Sequence, residues 1–410
     1  MLLMLAVLVR TLGASDYGVL SIALAASGIA MAINPAIATT TTKFVAEAAG
    51  HAGAALTRVS GVVTAALCAV ILIDVVILGC VLVWRKGLSD WIFGSSISYQ
   101  GKETVLLLAM VAVAIQQIDA VMGAAIRGLE RFRRQALVEL GLRGFLSVVV
   151  AAVAWATGSV AAVLAAQCSV FALFVLLRYF ALRTLLPGRR LLVSSTRSQV
   201  VSLLRYGGWM WLSAVAGVTY TSGDRIIVGR VLGAAAAGEY SVYVQLTQII
   251  HFVPSNLFAF SLPAFSRLSA AGSVSAETRR AYRSYLLGIS ATGFGIGLIL
   301  LVCWPFLMRI FASPLLSADG PTLAILLLAA NFLLLSVTAI PYYLLLAMGR
   351  SRLVSLTTSI WMCVALLLMV VLIPRYGLAG AAGARLAYGL GTLSFIGRAQ
   401  QLLKSSNNDE

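Results

Sequence analysis

Eleven stretches of roughly twenty mostly apolar residues run through this chain, at about 18–38, 61–84, 104–126, 144–157, 160–182, 207–227, 237–262, 285–308, 321–346, 354–373 and 378–398. A helix needs about 20 such residues to cross the ~30 Å hydrocarbon core of a bilayer. Only 11% of the residues are charged and 60% are hydrophobic. A soluble domain carries about 25% charged residues, so this chain lacks the means to cover itself with a water-facing surface. It reads as an all-α integral membrane protein. Residues 1–9 are apolar but reach only about 13 Å as a helix. They show no basic leader or cleavage site and are read as the end of a first, truncated helix. The expectation is then about twelve transmembrane helices, as six plus six.

A repeated string supports that division. Arg10-Thr11-Leu12-Gly13-Ala14-Ser15-Asp16-Tyr17-Gly18-Val19-Leu20-Ser21 returns 220 residues later as Arg230-Val231-Leu232-Gly233-Ala234-Ala235-Ala236-Ala237-Gly238-Glu239-Tyr240-Ser241. Weaker pairs lie at similar offsets. Arg127-Gly128 matches Met348-Gly349 at 221, and Gly158-Ser159 matches Gly377-Leu378 at 219. Six helices between copies is an even number, so the halves enter the membrane in the same sense. Parallel repeats about a central cavity are one of the transporter plans. The basic, turn-rich stretch 183–205 divides the halves, giving an N-lobe at 1–195 and a C-lobe at 196–410.

Charge gives the orientation. Loops after even-numbered helices hold 20 of the 30 Lys and Arg residues, and loops after odd-numbered ones hold 7. Cytoplasmic loops are the basic ones, so the even loops and the C-terminus are expected in the cytoplasm. The net charge of +16 is thereby assigned to anionic lipid rather than nucleic acid.

Polar residues inside apolar runs mark candidate sites, because a charge in a span costs about 2.5–3.5 kcal/mol on insertion scales. Asp224 and Arg225 close helix 7. They either form a polar cavity wall or sit at the outer interface with Arg225 snorkelling. Gln116 and Asp119 share a face of helix 4 at i,i+3, lining a pathway or bonding another helix. Asp74 stands alone in helix 3 and is a candidate coupling-ion or proton site, as is Asp119. Pro35 and Pro254 fall in corresponding helices and either bend a cavity wall or improve packing. Lys43 is a cytoplasmic anchor or faces the cavity mouth. No P-loop, HExxH, GxSxG or carboxylate–histidine cluster occurs. The expectation is no catalytic residue, no metal and no cofactor, with H+ or Na+ as the possible coupling ion.

The string at Arg10–Ser21 and its longer counterpart Gly223-Asp224-Arg225…Arg230…Gly233…Gly238…Tyr240-Ser241 resemble the polysaccharide (O-antigen type) flippases of the multidrug/oligosaccharidyl-lipid/polysaccharide exporter superfamily. The resemblance runs from Arg10 to about Arg398. It implies two six-helix bundles around a cavity and a non-enzymatic transporter in a bacterial or archaeal plasma membrane. The implied cargo is an undecaprenyl-pyrophosphate-linked oligosaccharide, carried to the outer leaflet by alternating access. The implied partners are membrane lipids, a polysaccharide polymerase and glycosyltransferases. On that basis Arg10, Lys43, Arg225 and Arg230 are candidates to meet the pyrophosphate. Counting helices places Arg10 and Arg230 in extracytoplasmic turns, on the release side. The alternatives within the superfamily are an ion-coupled multidrug antiporter, which would use acidic cavity residues, and a lipid II flippase. A membrane-embedded polymerase is the alternative of a different class.

Overall fold

The computed structural model describes residues 2–49, 55–94, 99–186, 218, 222–262, 264–265, 276–304, 306–307 and 322–405. Every regular element among them is helical. Among the described residues, eight helices are long and apolar enough to cross a membrane, and the last of these, Arg352–Lys404, spans 53 residues. The chain is therefore a multi-pass, all-α membrane protein. It divides into two compact units, Met1–Gly238 and Glu239–Glu410. The boundary expected at 195/196 lies outside the described residues.

In the first unit, α1 (Leu2–Ala30) breaks at Gly13, with φ 74°. The residues read as a helix stub and a following turn are thus two consecutive helices joined at one glycine. A 3-10 turn at Met31–Ile33 leads into α2 (Asn34–Ala49), and α3 (Ala55–Val83) and the short α4 (Arg85–Phe93) follow. Next come α5 (Lys102–Gly128), α6 (Phe132–Thr157), α7 (Val160–Arg183) and α8 (222–232). Helix α5 sits centrally, packed against α2, α3 and α7. Val63, Ala66 and Val70 of α3 meet Val121, Ala125 and Ile126 of α5 in a buried cluster. The opposite face of α3 exposes Leu72, Val75 and Val76, and α6 exposes Leu137, Leu140, Val148 and Trp155. Those are the faces for lipid.

The apolar run expected at 144–157 is twelve residues longer at its N-terminal end, since α6 begins at Phe132. Arg133, Arg134, Glu139 and Arg143 gave 132–143 the look of a loop, although they occupy the first turns of a helix.

Helix α9 (Ala234–Thr247) crosses into the second unit. There α10 (Ile249–Leu257), α11 (Ala276–Val302), α12 (Leu323–Ala347), α13 (Ser351–Thr392, broken at Gly377) and α14 (Ser394–Ser405) follow. Phe265, Tyr282, Ile289, Ile340 and Leu344 form its buried cluster.

The duplication is written in the backbone. Helices α3 and α11 end at Val83 and Val302, α5 and α12 at Gly128 and Ala347, and α6 and α13 begin at Phe132 and Ser351. Each pair is 219 residues apart. Positive φ recurs at the matching bends: 74° at Gly13 and 93° at Gly233, 58° at Gly158 and 55° at Gly377. After α5, the Arg131 amide donates to the Ile126 carbonyl at 3.1 Å; after α12, the Arg350 amide donates to that of Leu345 at 2.9 Å. Both are Schellman-type ends. They correct the expected register, because Gly349 (φ 72°) stands opposite Glu130 (φ 59°), not Gly128.

The two copies of the repeated string also touch within the first unit. A Cβ at Gly18 would collide with the Ala234 carbonyl, and one at Gly238 would lie 2.8 Å from the Ala14 carbonyl. Adding 220 to Gly18 and Ala14 gives Gly238 and Ala234, so the contact is reciprocal. Ser21 Oγ donates to the Ala237 carbonyl at 3.5 Å beside it. Glycines that let backbones approach in this way are the standard close-packing device of membrane helices.

Candidate functional site

Helices α5, α6 and α7, with Met31 and Ala38, line an open cavity of about 820 Å³. Asp119 and Gln116 line it from α5, the i,i+3 pair expected to share a face. Arg178 enters from α7 and is 1% exposed. Its Nε lies 2.7 Å from Asp119 Oδ1, a close ion pair whose atoms are not aligned as a hydrogen bond, and its Nη2 donates to Glu139 Oε2 of α6 at 2.7 Å. The other oxygen of Glu139 accepts from Arg143 Nε at 3.1 Å. One buried guanidinium thus ties three helices through two carboxylates, and Glu139 bridges two guanidiniums. Arg127 and Gln135 complete the polar wall, facing apolar Phe171 and Leu146.

This arrangement has a stability cost and a space requirement. Each buried ion loses several kcal/mol of hydration, recovered only with good geometry and full hydrogen bonding. Arg178 finds its room because residue 123 is glycine. A Cβ there would press on Nη1 of Arg178 and lie 2.8 Å from Nε2 of Gln135. Gln135 is buried, and its Oε1 makes no hydrogen bond among the described residues.

The second repeat builds the same helices without these ions. Residues 219 positions after Asp119, Glu139 and Arg178 are Thr338, Thr358 and Gly397. Thr338 Oγ1 bonds Thr392 Oγ1 at 3.1 Å. The helices therefore form without charge at these three positions, which are uncharged in the second repeat.

Of the residues expected at the site, Asp119 and Gln116 are brought together, and Asp74, Asp224, Arg225, Arg10 and Arg230 are not among the described residues that line this cavity. Asp74 is buried in α3, with no hydrogen bond to Oδ2 among the described residues. Asp224 is fully buried, and its Oδ1 accepts from the Arg225 amide at 2.8 Å. Arg225 is half-buried, whereas Arg10 and Arg230 are exposed. The guanidinium of Arg230 stacks 5.4 Å from the Trp91 ring centroid, a contact typical of the membrane–water interface. Lys43 belongs to α2, and its side chain lies outside the described residues.

Arg178, Glu139, Arg143, Arg127 and Gln135 were not among the expected residues. A lone arginine in the apolar run 160–182 carried a usable signal, because a charge within a span takes a partner and Asp119 was available. Glu139 gave none while 132–143 read as a loop.

These features define a polytopic membrane protein with an ion-lined cavity inside its first repeat, and solved structures share its fold. An inward-facing multidrug resistance MATE family transporter of the MOP superfamily superposes with a TM-score of 0.80 at 14% identity, over 98% of this chain and 95% of that one. The lipid II flippase MurJ in an inward closed conformation matches at 0.67 and 15%, over 97% and 86%. A MOP superfamily transporter from Pyrococcus furiosus, described as having a binding pocket of reverse polarity, matches at 0.63 and 13%, over 98% and 92%. No curated protein matches the chain. The polysaccharide biosynthesis protein family matches over residues 1–269, and the chain belongs to that family.

Proposed function

We propose that this protein is a flippase that moves an undecaprenyl-pyrophosphate-linked oligosaccharide from the cytoplasmic to the outer leaflet, with the diphosphate held in the α5–α7 cavity. The observation that carries this reading is the buried Arg178, with Arg127 and Arg143 beside it, inside a cavity bounded by membrane-spanning helices. A guanidinium binds phosphate oxygens in a planar fork. The family membership supplies the polysaccharide context. Both carboxylates among the described residues lining the cavity are already tied to arginine, which disfavours a cationic drug as its occupant.

Depth supports loading from the cytoplasm. Asp119 lies nine residues before the end of α5, Glu139 seven after the start of α6, and Arg178 five before the end of α7. At 1.5 Å per residue these are about 13, 10 and 8 Å from the helix ends. Those ends carry Arg127, Arg131, Arg133, Arg134 and Arg183, the basic side by the positive-inside rule. In this reading the lobes 1–195 and 196–410 alternate access, and Arg225, Asp224, Lys43, Arg10 and Arg230 lie further along the path. Asp74 is the candidate for H+ or Na+ coupling.

The test is export in cells. A deletion strain accumulates lipid-linked glycan on the cytoplasmic leaflet, and Arg178→Ala fails to restore surface glycan although the protein reaches the membrane. Full restoration by Arg178→Ala removes the cavity from the mechanism.

A further inference from the structure

We infer that Glu139 is a built-in counter-anion that holds the arginines of the cavity in the absence of ligand and sets the charge a ligand must carry to enter; the inference rests on the diphosphate reading above. The two carboxylates on Arg178 are not equivalent. The Asp119 side chain is 11% exposed and that of Glu139 is 37% exposed. Among the described residues Asp119 pairs with Arg178, whereas Glu139 spends one oxygen on Arg178 and the other on Arg143, which is itself 74% exposed. Asp119 therefore anchors the guanidinium from behind, and Glu139 occupies its open side.

A forked anion bridging two guanidiniums is the shape that a phosphate group presents. Glu139 is also the carboxylate of the two that can leave. It retains Arg143 one helical turn away at i,i+4, and it has the greater access to solvent. A ligand gains by replacing it only if it brings more charge than the single carboxylate it removes. The carboxylate also competes from within the chain, which raises its effective concentration. A phosphodiester with one negative charge, such as an ordinary phospholipid head, matches Glu139 and gains nothing. A disubstituted diphosphate with two charges exceeds it. Glu139 would thus exclude the abundant monophosphate lipids from a site built of arginines.

The experiment is binding of inorganic pyrophosphate and of dimethyl phosphate to the purified full chain in neutral nanodiscs, for the wild type, Glu139→Gln, Glu139→Asp and Arg178→Ala. Thermal unfolding checks the fold of each. Glu139→Gln is expected to tighten pyrophosphate binding roughly tenfold and to admit dimethyl phosphate, which the wild type rejects. Glu139→Asp keeps the charge but does not reach both guanidiniums, so a smaller gain in the same direction is expected. Unchanged or weaker pyrophosphate binding by both folded Glu139 variants, with Arg178→Ala still abolishing it, overturns the counter-anion role and leaves the diphosphate reading standing. Pyrophosphate binding that is indifferent to Arg178→Ala overturns both.

Discussion

At Gly123 the backbone of α5 leaves room for the guanidinium of Arg178 and the amide of Gln135. Both neighbours are the far ends of flexible side chains, so a methyl group there displaces them rather than the helix. Gly123→Ala is accordingly expected to lower the unfolding temperature less than loss of a whole ion pair does, because the guanidinium is shifted rather than removed, and to lower glycan export severalfold. Wild-type export by this variant would show that the position of Arg178 does not matter. Removing Asp119 acts differently. Asp119→Ala takes away the more deeply buried partner of a buried charge, a change that costs about 3–5 kcal/mol when the remaining ion has no other compensation. Glu139 supplies part of that compensation, so the lower end is expected, read as a fall in the thermal midpoint. These residues also show how far the site was legible. Asp119 and Gln116 stood out because two polar groups at i,i+3 in an apolar run are costly in lipid and must face protein or water. Arg178 belonged to the same pattern but needed its partner to be recognised across 59 positions, and pairing between helices is not written in the spacing of either one.

Among the elements, the α5–α6 turn and its counterpart between α12 and α13 are a controlled comparison. The same hydrogen bonds close both, yet one places Glu130 and the other Gly349 in the left-handed region. A side chain there costs roughly 1–2 kcal/mol relative to the right-handed helix, and glycine escapes most of it. Glu130→Gly should stabilise the protein by about 0.5–1 kcal/mol, and Gly349→Ala should destabilise it by about 1 kcal/mol. Denaturation in detergent measures both, and equal signs for the two variants would contradict the equivalence of the turns. Helix boundaries were the least legible level. Apolar length located the spans, but the start of α6 was hidden because its first turns are charged, and the turn expected at Arg10–Tyr17 proved to be a break at a single glycine. Hydropathy marks where a helix meets lipid, and a helix that extends beyond lipid, or bends within it, leaves no such mark.

For the molecule as a whole, the repeat was legible because a duplicated chain keeps its bends where the backbone has no alternative. Gly13 and Gly233, and Gly158 and Gly377, are shared between the halves by conformation. The chemistry diverged over the same interval: Thr338, Thr358 and Gly397 stand where the first repeat has Asp119, Glu139 and Arg178, so the repeat did not reveal the ionic cluster. The contact of Gly18 with Ala234 and of Gly238 with Ala14 leaves no volume for a side chain on either helix. Gly18→Val and Gly238→Val are each expected to abolish accumulation of folded protein, read by fluorescence-detected size exclusion, since overpacking costs about 1–3 kcal/mol even where side chains can yield and backbone yields less. Folded, monodisperse valine variants would show that the approach is not needed. Reciprocity gives this contact a further meaning. When patch i meets patch j and j meets i, the surfaces are self-complementary, which is the geometry of an isologous interface between identical subunits. Here both surfaces belong to one polypeptide, so the contact is that of a homodimer made covalent, and its stoichiometry is fixed by the gene rather than by concentration.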